Sequence, residues 1–169
     1  MLEIKNVNKF FGGLKAVHNA TMRVEKGSIT GLIGPNGAGK TTLFNTIAGL
    51  YEPDNGNIIL EDEDISFLKP HQLFEKGVLR TFQIAHEFTT LTVLENLMMV
   101  PPNQYGEKLT YALFNNKKVK EQEEQIRAKA IEVISFLNLS HLTQELAGNL
   151  SGGQKKLLEL GRTMMVDPK

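Results

Sequence analysis

The stretch Gly34-Pro-Asn-Gly-Ala-Gly-Lys-Thr-Thr42 constrains this chain more than any other. Glycine, four residues, then Gly39-Lys40-Thr41 is the spacing of a phosphate-cradling loop, and it follows the apolar run 28–33, which predicts a buried strand. Glycines at 34, 37 and 39 free the backbone to turn successive N–H groups inward as a nest for phosphate oxygens. Lys40 adds a point charge. From Lys40 to about Ala48 the sequence suits a helix stopped by Gly49, so the anion also meets the positive end of a helix. The Thr41 hydroxyl is placed to take Mg²⁺. The rival reading is a glycine-rich turn matching by accident, and the strand before and helix after weigh against it.

A phosphate loop alone does not separate transport ATPases from kinases, GTPases or motors, so the remainder of the chain decides. Its 169 residues, 41% hydrophobic, are one domain's worth of a globular protein. Lysine plus arginine number 19 and aspartate plus glutamate 19, a balance that gives no general electrostatic reason to expect nucleic acid. With no cysteine, disulfides and thiolate metal sites are excluded, in keeping with a reducing compartment. His18, His71, His86 and His141 are scattered without ligand spacing and read as surface or core residues. The N-terminus is too charged for a signal peptide and no apolar run approaches a membrane span, so membrane association is expected to be peripheral.

Leu2 to Phe11 alternates as a half-buried strand does, Gly12-Gly13 turns the chain, and Ala20 to Val24 predicts the returning strand. Phe10 and Phe11 end the first strand, where a ring either joins the core or stacks on a base. Tyr51 to Gly56 is a dense turn cluster before a strand at Asn57 to Leu60. The acids Glu61 to Asp64 read as a solvated turn, the alternative being a strand-end Mg²⁺ site. Pro70 opens a short helix to about Lys76, closed by Gly77. Val78 to Gln83 then predicts a strand with Gln83 at its tip, where an amide can bridge a metal, a water and a terminal phosphate.

Thr92 with Glu95 three positions on predicts a capped helix to Val100, ended by Pro101-Pro102. Asn103 to Lys118 is turn-rich and reads as a mobile insertion. Val119 to Leu139 is amphipathic, with Ile126, Ala130, Val133 and Leu137 on one face. A last helix is expected from about Gln154 to Val166, with Leu157, Leu160, Gly161 and Met164 on one side. Serine and two glycines at its start describe a second anion site.

Two anion-binding helix starts with a glutamine-tipped strand between them resemble an ATP-binding cassette (ABC) subunit, over the whole chain. Gly34, Pro35, Asn36, Gly37, Ala38, Gly39, Lys40, Thr41 and Thr42 take the place of the ATP-binding Walker A loop, and Gln83 that of the Q-loop glutamine. Leu150, Ser151, Gly152, Gly153 and Gln154 spell the family's signature, LSGGQ. The resemblance implies that Lys40 and Gln83 serve catalysis, that Thr41 and Gln83 hold Mg²⁺, that Phe11 (with Phe10 as its neighbour) stacks on the base, and that Val17 lines it. The implied fold is α/β, a P-loop NTPase core. An N-terminal antiparallel β-subdomain and core would cover 1–83, a helical subdomain 84–150 and the signature helix 151–169. NKFFGGLKAV, VLRTFQ, LTVLENL and LSGGQKKLLELGR are similar to segments of branched-chain amino acid importer ATPases.

Chains of that family continue past the signature helix into a strand ending Asp-Glu, a D-loop and a switch histidine, and this sequence stops at Lys169. The expectation is therefore a fragment with an incomplete central parallel sheet, binding nucleotide better than it hydrolyses it. Implied partners are a second cassette subunit placed head to tail, whose Lys40-held phosphate Ser151 and Gly153 would cover, and transmembrane permease subunits. The implied location is cytoplasmic, on the inner face of the cell membrane. A cassette protein acting on DNA or ribosomes and a non-catalytic binding module are the alternatives.

Overall fold

The computed structural model describes residues 1–81, 87–107, 111 and 116–169. Two compact units divide the chain, 1–79 and 80–169.

The first unit is built on a four-stranded antiparallel sheet of order β2-β1-β3-β4, from β1 (Leu2–Phe11), β2 (Leu14–Val24), β3 (Asn55–Leu60) and β4 (Glu63–Asp64). Strand β1 lies between its hairpin partner, with Leu2 opposite Val24, and β3, with Ile4 opposite Ile58. A register shift between Ile4 and Val7, with Asn6 at φ 51°, brings these two side chains to one face, where they meet Val17, Ile58, Leu43 of α1 (Lys40–Ile47), Ile65 and Leu73 of α2 (Pro70–Glu75). Ile4, Val7 and Ile58 are each 1% exposed or less, burial that contributes about 2 kcal/mol per side chain. The returning strand begins at Leu14 rather than Ala20, because the two-residue glycine turn lets Phe11 pair with Leu14 at once. Register shifts between Ile4 and Phe10 absorb the polar residues that hid its period.

Two expected strands are not formed among the described residues. Residues 28–34 have no strand pairing, and Ile29 and Ile33 are 103% and 94% exposed, so this apolar run is not the buried strand its sequence predicts. A strand exists only where a neighbour takes its N–H and C=O groups, and the ladders among the described residues join β1 to β4 alone. The parallel part of the expected sheet is thus absent among the described residues, although Leu32 still packs on the sheet core. Residues 78–81 are likewise not strand, with Val78 resting on the same core, while Phe82 and Gln83 lie outside the described residues. The acidic turn is a tight one: Glu61 and Asp62 take φ of 47° and 71°, Glu63 pairs with Lys76 at 2.7 Å, and Asp64 accepts from Ser66 and Asn57. Those bonds, the Ser66 hydroxyl foremost, hold the Asp64 carboxyl below its usual range.

The second unit is helical. Helix α3 (Val93–Met98) opens on the Thr92 capping box, in which the Thr92 hydroxyl accepts from the Glu95 N–H and Glu95 accepts the Thr92 N–H at 2.7 Å. Helix α4 (Asn116–Phe136) presents Ala130, Val133 and Ile134 to the core, with Leu137 just past its end and Ile126 at its margin. It starts three residues before the expected Val119 and ends at Phe136, where Asn138 at φ 57° turns the chain and leaves Leu139 buried outside the helix. Of the insertion 103–118, residues 108–110 and 112–115 lie outside the described residues; Tyr105 N–H donates to the Gln122 amide of α4 at 2.6 Å.

Helix α5 (Gly152–Met164) buries a different stripe from the one its leucines suggest. Leu158 is fully buried, with Gly161 and, just past the helix, Met165, whereas Leu157 and Leu160 are 38% and 45% exposed. Gly161 allows this close approach, since a Cβ there would meet Leu137 at 2.9 Å and Leu97 at 3.2 Å.

Candidate nucleotide site

Within the motif 34–42 the loop ends at Gly39, the N-cap of α1, at φ 82°. The first N–H groups of a helix lack intrahelical partners, and Gly39 has no side chain to cap them, so those of Lys40, Thr41 and Thr42 are left for an anion. Gly37 also stands at φ 82°, but Gly34 does not take a positive φ, so its glycine is not required by backbone strain as the sequence suggested. Gly39 is required twice over: a Cβ there would lie 2.1 Å from the carbonyl oxygen of Ala16 on β2. The loop is therefore pressed against the hairpin. Lys40 folds back over its own loop and donates to the carbonyls of Gly34 and Pro35 at 2.7 and 2.6 Å.

A groove of about 430 Å³ runs from this loop along β2, walled by Gly37, Ala38, Gly39 and Lys40 on one side and by Val17 and its strand neighbours on the other. Lys15, Ala16 and His18 belong to that wall; the sequence did not point to Lys15 and Ala16 as groove residues, and it read His18 as a surface or core residue, because all three fall in the part of β2 whose period is broken. Val17 is itself 7% exposed, so it contributes to the sheet core as well as to the groove. Phe11 is not in the wall: it sits at the hairpin end opposite Leu14, 43% exposed, one pair beyond Phe10 and Lys15. Gln83 lies outside the described residues, and Pro35, Asn36 and Thr41 are exposed.

The second motif caps itself. At the start of α5 the Ser151 hydroxyl oxygen accepts from the Gln154 N–H at 3.4 Å, and the Gln154 side chain accepts the Ser151 N–H at 2.8 Å. Gly152 and Gly153 face open space at this tip. Leu150, grouped with these residues from the sequence, is instead a core side chain at 5% exposure; it roots the tip and does not face outward. The approach to the tip is laced to residues 87–94: Ala147 N–H donates to Leu91 O and Gly148 N–H to Thr89 O, at 2.9 and 3.1 Å. The buried Asn96 amide binds Phe88 through both its N–H and its C=O, and Lys155 of α5 pairs with Glu87 at 2.6 Å.

A glycine-framed loop opening a helix beside an antiparallel sheet, with a separate helical unit that carries a serine-glycine helix tip, defines a nucleotide-binding domain of the phosphate-loop class. The family model described as "ABC transporter" matches residues 17–169, and the chain belongs to that family. It is 47% identical, over all of its length and 65% of the relative's, to a protein of Archaeoglobus fulgidus named as a probable branched-chain amino acid transport ATP-binding protein, LivG. Among solved structures it is similar to the ADP conformation of an ATP-binding cassette of an ABC transporter, with 41% identity, a TM-score of 0.80, and coverage of 99% of this chain and 65% of that one. A dimeric cassette in a post-hydrolysis state with ADP and Pi is 25% identical with a TM-score of 0.74, covering 99% of this chain and 71% of that chain. The chain thus spans about 65% of the length of such curated relatives.

Proposed function

We propose that this chain is the ATP-binding part of an importer for branched-chain amino acids, coupling ATP binding and hydrolysis to transport. The observation that carries the reading is the loop at 34–42, where left-handed Gly37 and Gly39 aim uncapped N–H groups across a groove. The names of the relatives support the transported class.

In this reading the N–H groups of the loop and of the first turn of α1 take the oxygens of the terminal phosphates, and the Lys40 ammonium exchanges the carbonyls of Gly34 and Pro35 for them. Val17 lines the base and Phe11 stacks on it. Thr41 and Gln83 would hold Mg²⁺, a fit resting on the exposed Thr41 hydroxyl beside the uncapped turn. The bound ion neutralises the charge that gathers on the phosphates. The Ser151–Gly153 tip covers the γ-phosphate of a second subunit, so ATP joins the pair, as the dimeric neighbour with ADP and Pi supports. Permease subunits take up the resulting closure. The protein then works at the cytoplasmic face of a membrane, and no helix among the described residues is long and apolar enough to cross one.

The paired arrangement is tested with Ser151→Arg in the full-length protein. Monomer ATP affinity stays unchanged while ATP-dependent dimers, read by sedimentation velocity, disappear. Dimers that persist at wild-type levels would contradict the role of the tip across the pair.

A further inference from the structure

We propose that Tyr51 is a positioning residue for Phe11, holding that ring in the attitude from which it stacks on the nucleotide base. The inference rests on the base-stacking role proposed above for Phe11.

Phe11 ends β1 beside a glycine turn and is 43% exposed, so core packing does not fix its rotamer. A ring free to turn loses that freedom when a base settles on it, and the loss weakens binding. The turn after α1 supplies the restraint. The Tyr51 ring lies 5.2 Å from that of Phe11 at 79°, an edge-to-face pair of the favoured kind. The Lys9 ammonium stands over the Phe11 ring at 5.7 Å from its centroid and is itself held by Asp54 at 3.3 Å. Asp54 also accepts the Phe10 N–H at 2.6 Å, the main reason its carboxyl is held below the usual range. Residues 51–54 therefore grip the end of β1 at three points, through Tyr51, Lys9 and the Phe10 N–H.

Tyr51 is in turn fixed to α1. The N–H groups of Leu50 and Tyr51 both donate to the Asn45 carbonyl, at 2.9 and 3.3 Å. The residue that braces Phe11 thus sits in the turn directly after the helix that begins at the phosphate loop, tied to its last turn through the Asn45 carbonyl, and the eight residues of α1, about 12 Å of rise, lie between. Tyr51, 37% exposed, has no comparable duty in the sheet core.

The test compares affinities for Mg-ATP and for base-free tripolyphosphate in the purified full-length protein. Phe11→Ala weakens ATP binding by about 5- to 100-fold, the range of a base on an aromatic ring, and leaves tripolyphosphate unchanged. Tyr51→Ala weakens ATP binding by about 2- to 10-fold, again with tripolyphosphate unchanged. Tyr51→Phe, which keeps the ring edge, binds as wild type. The double variant Phe11→Ala with Tyr51→Ala binds no worse than Phe11→Ala alone. Wild-type ATP affinity in Tyr51→Ala, a Tyr51→Ala loss that persists without Phe11, or an equal loss of tripolyphosphate affinity would each overturn the proposal. Unchanged ATP affinity in Phe11→Ala would instead overturn the stacking role on which it rests.

Discussion

Gly39 shows how little room a single position of the phosphate loop has. Its φ of 82° is one that side-chain-bearing residues rarely adopt, and a Cβ would overlap the Ala16 carbonyl at 2.1 Å. Gly39→Ala is therefore expected to lower stability by about 1–3 kcal/mol and to weaken Mg-ATP binding, as the loop is pushed off β2. Gly31→Ala, where nothing lies within 4 Å and φ is not positive, serves as the control and changes stability by less than about 0.5 kcal/mol. Thermal melts of the two variants decide between them. The need for glycine at 37 and 39 was legible in the motif, because spacing alone ties those positions to a nest. The motif could not say that Gly34 is unstrained, since one pattern serves several backbone paths. Nor could it reveal Tyr51, whose partner is forty residues away in sequence and is reached only once β1 and the turn after α1 meet.

Helix α5 illustrates what periodicity leaves open. Leu157, Leu158, Leu160, Gly161, Met164 and Met165 hold two overlapping apolar stripes, and nothing local ranks them. The choice falls to the neighbours: Leu97, Val133 and Leu137 approach Gly161, which turns Leu158 and Met165 inward and Leu157 and Leu160 outward. Leu158→Ala is expected to cost about 2–5 kcal/mol in denaturant unfolding, Leu160→Ala less than about 0.5 kcal/mol. Equal losses would mean that the stripe read from the sequence is the buried one. The Thr92 helix was the most readable element, because Thr92 with Glu95 fixes its own start by local hydrogen bonds, whereas α5 begins at Gly152, two residues before the expected Gln154, behind a Ser151–Gln154 cap not read from the sequence. The run 28–33 was the least readable, since an apolar segment becomes a strand only through partners that it does not itself encode.

Across the whole molecule the sheet unit and the helical unit divide the work. Residues 1–79 hold the phosphate loop, the groove and the Phe11–Tyr51 ring pair; residues 80–169 hold the serine-glycine tip, rooted by Leu150 in a core of its own. The two glycine-bearing helix starts are thus carried by different compact units of one ABC transporter family chain. Calorimetric titration of Mg-ATP into the full-length protein and its Lys40→Ala variant tests the central claim most directly. Saturable binding by wild type, reduced at least tenfold by Lys40→Ala with the melting temperature unchanged, is the predicted result. Equal affinity in the two proteins would contradict it.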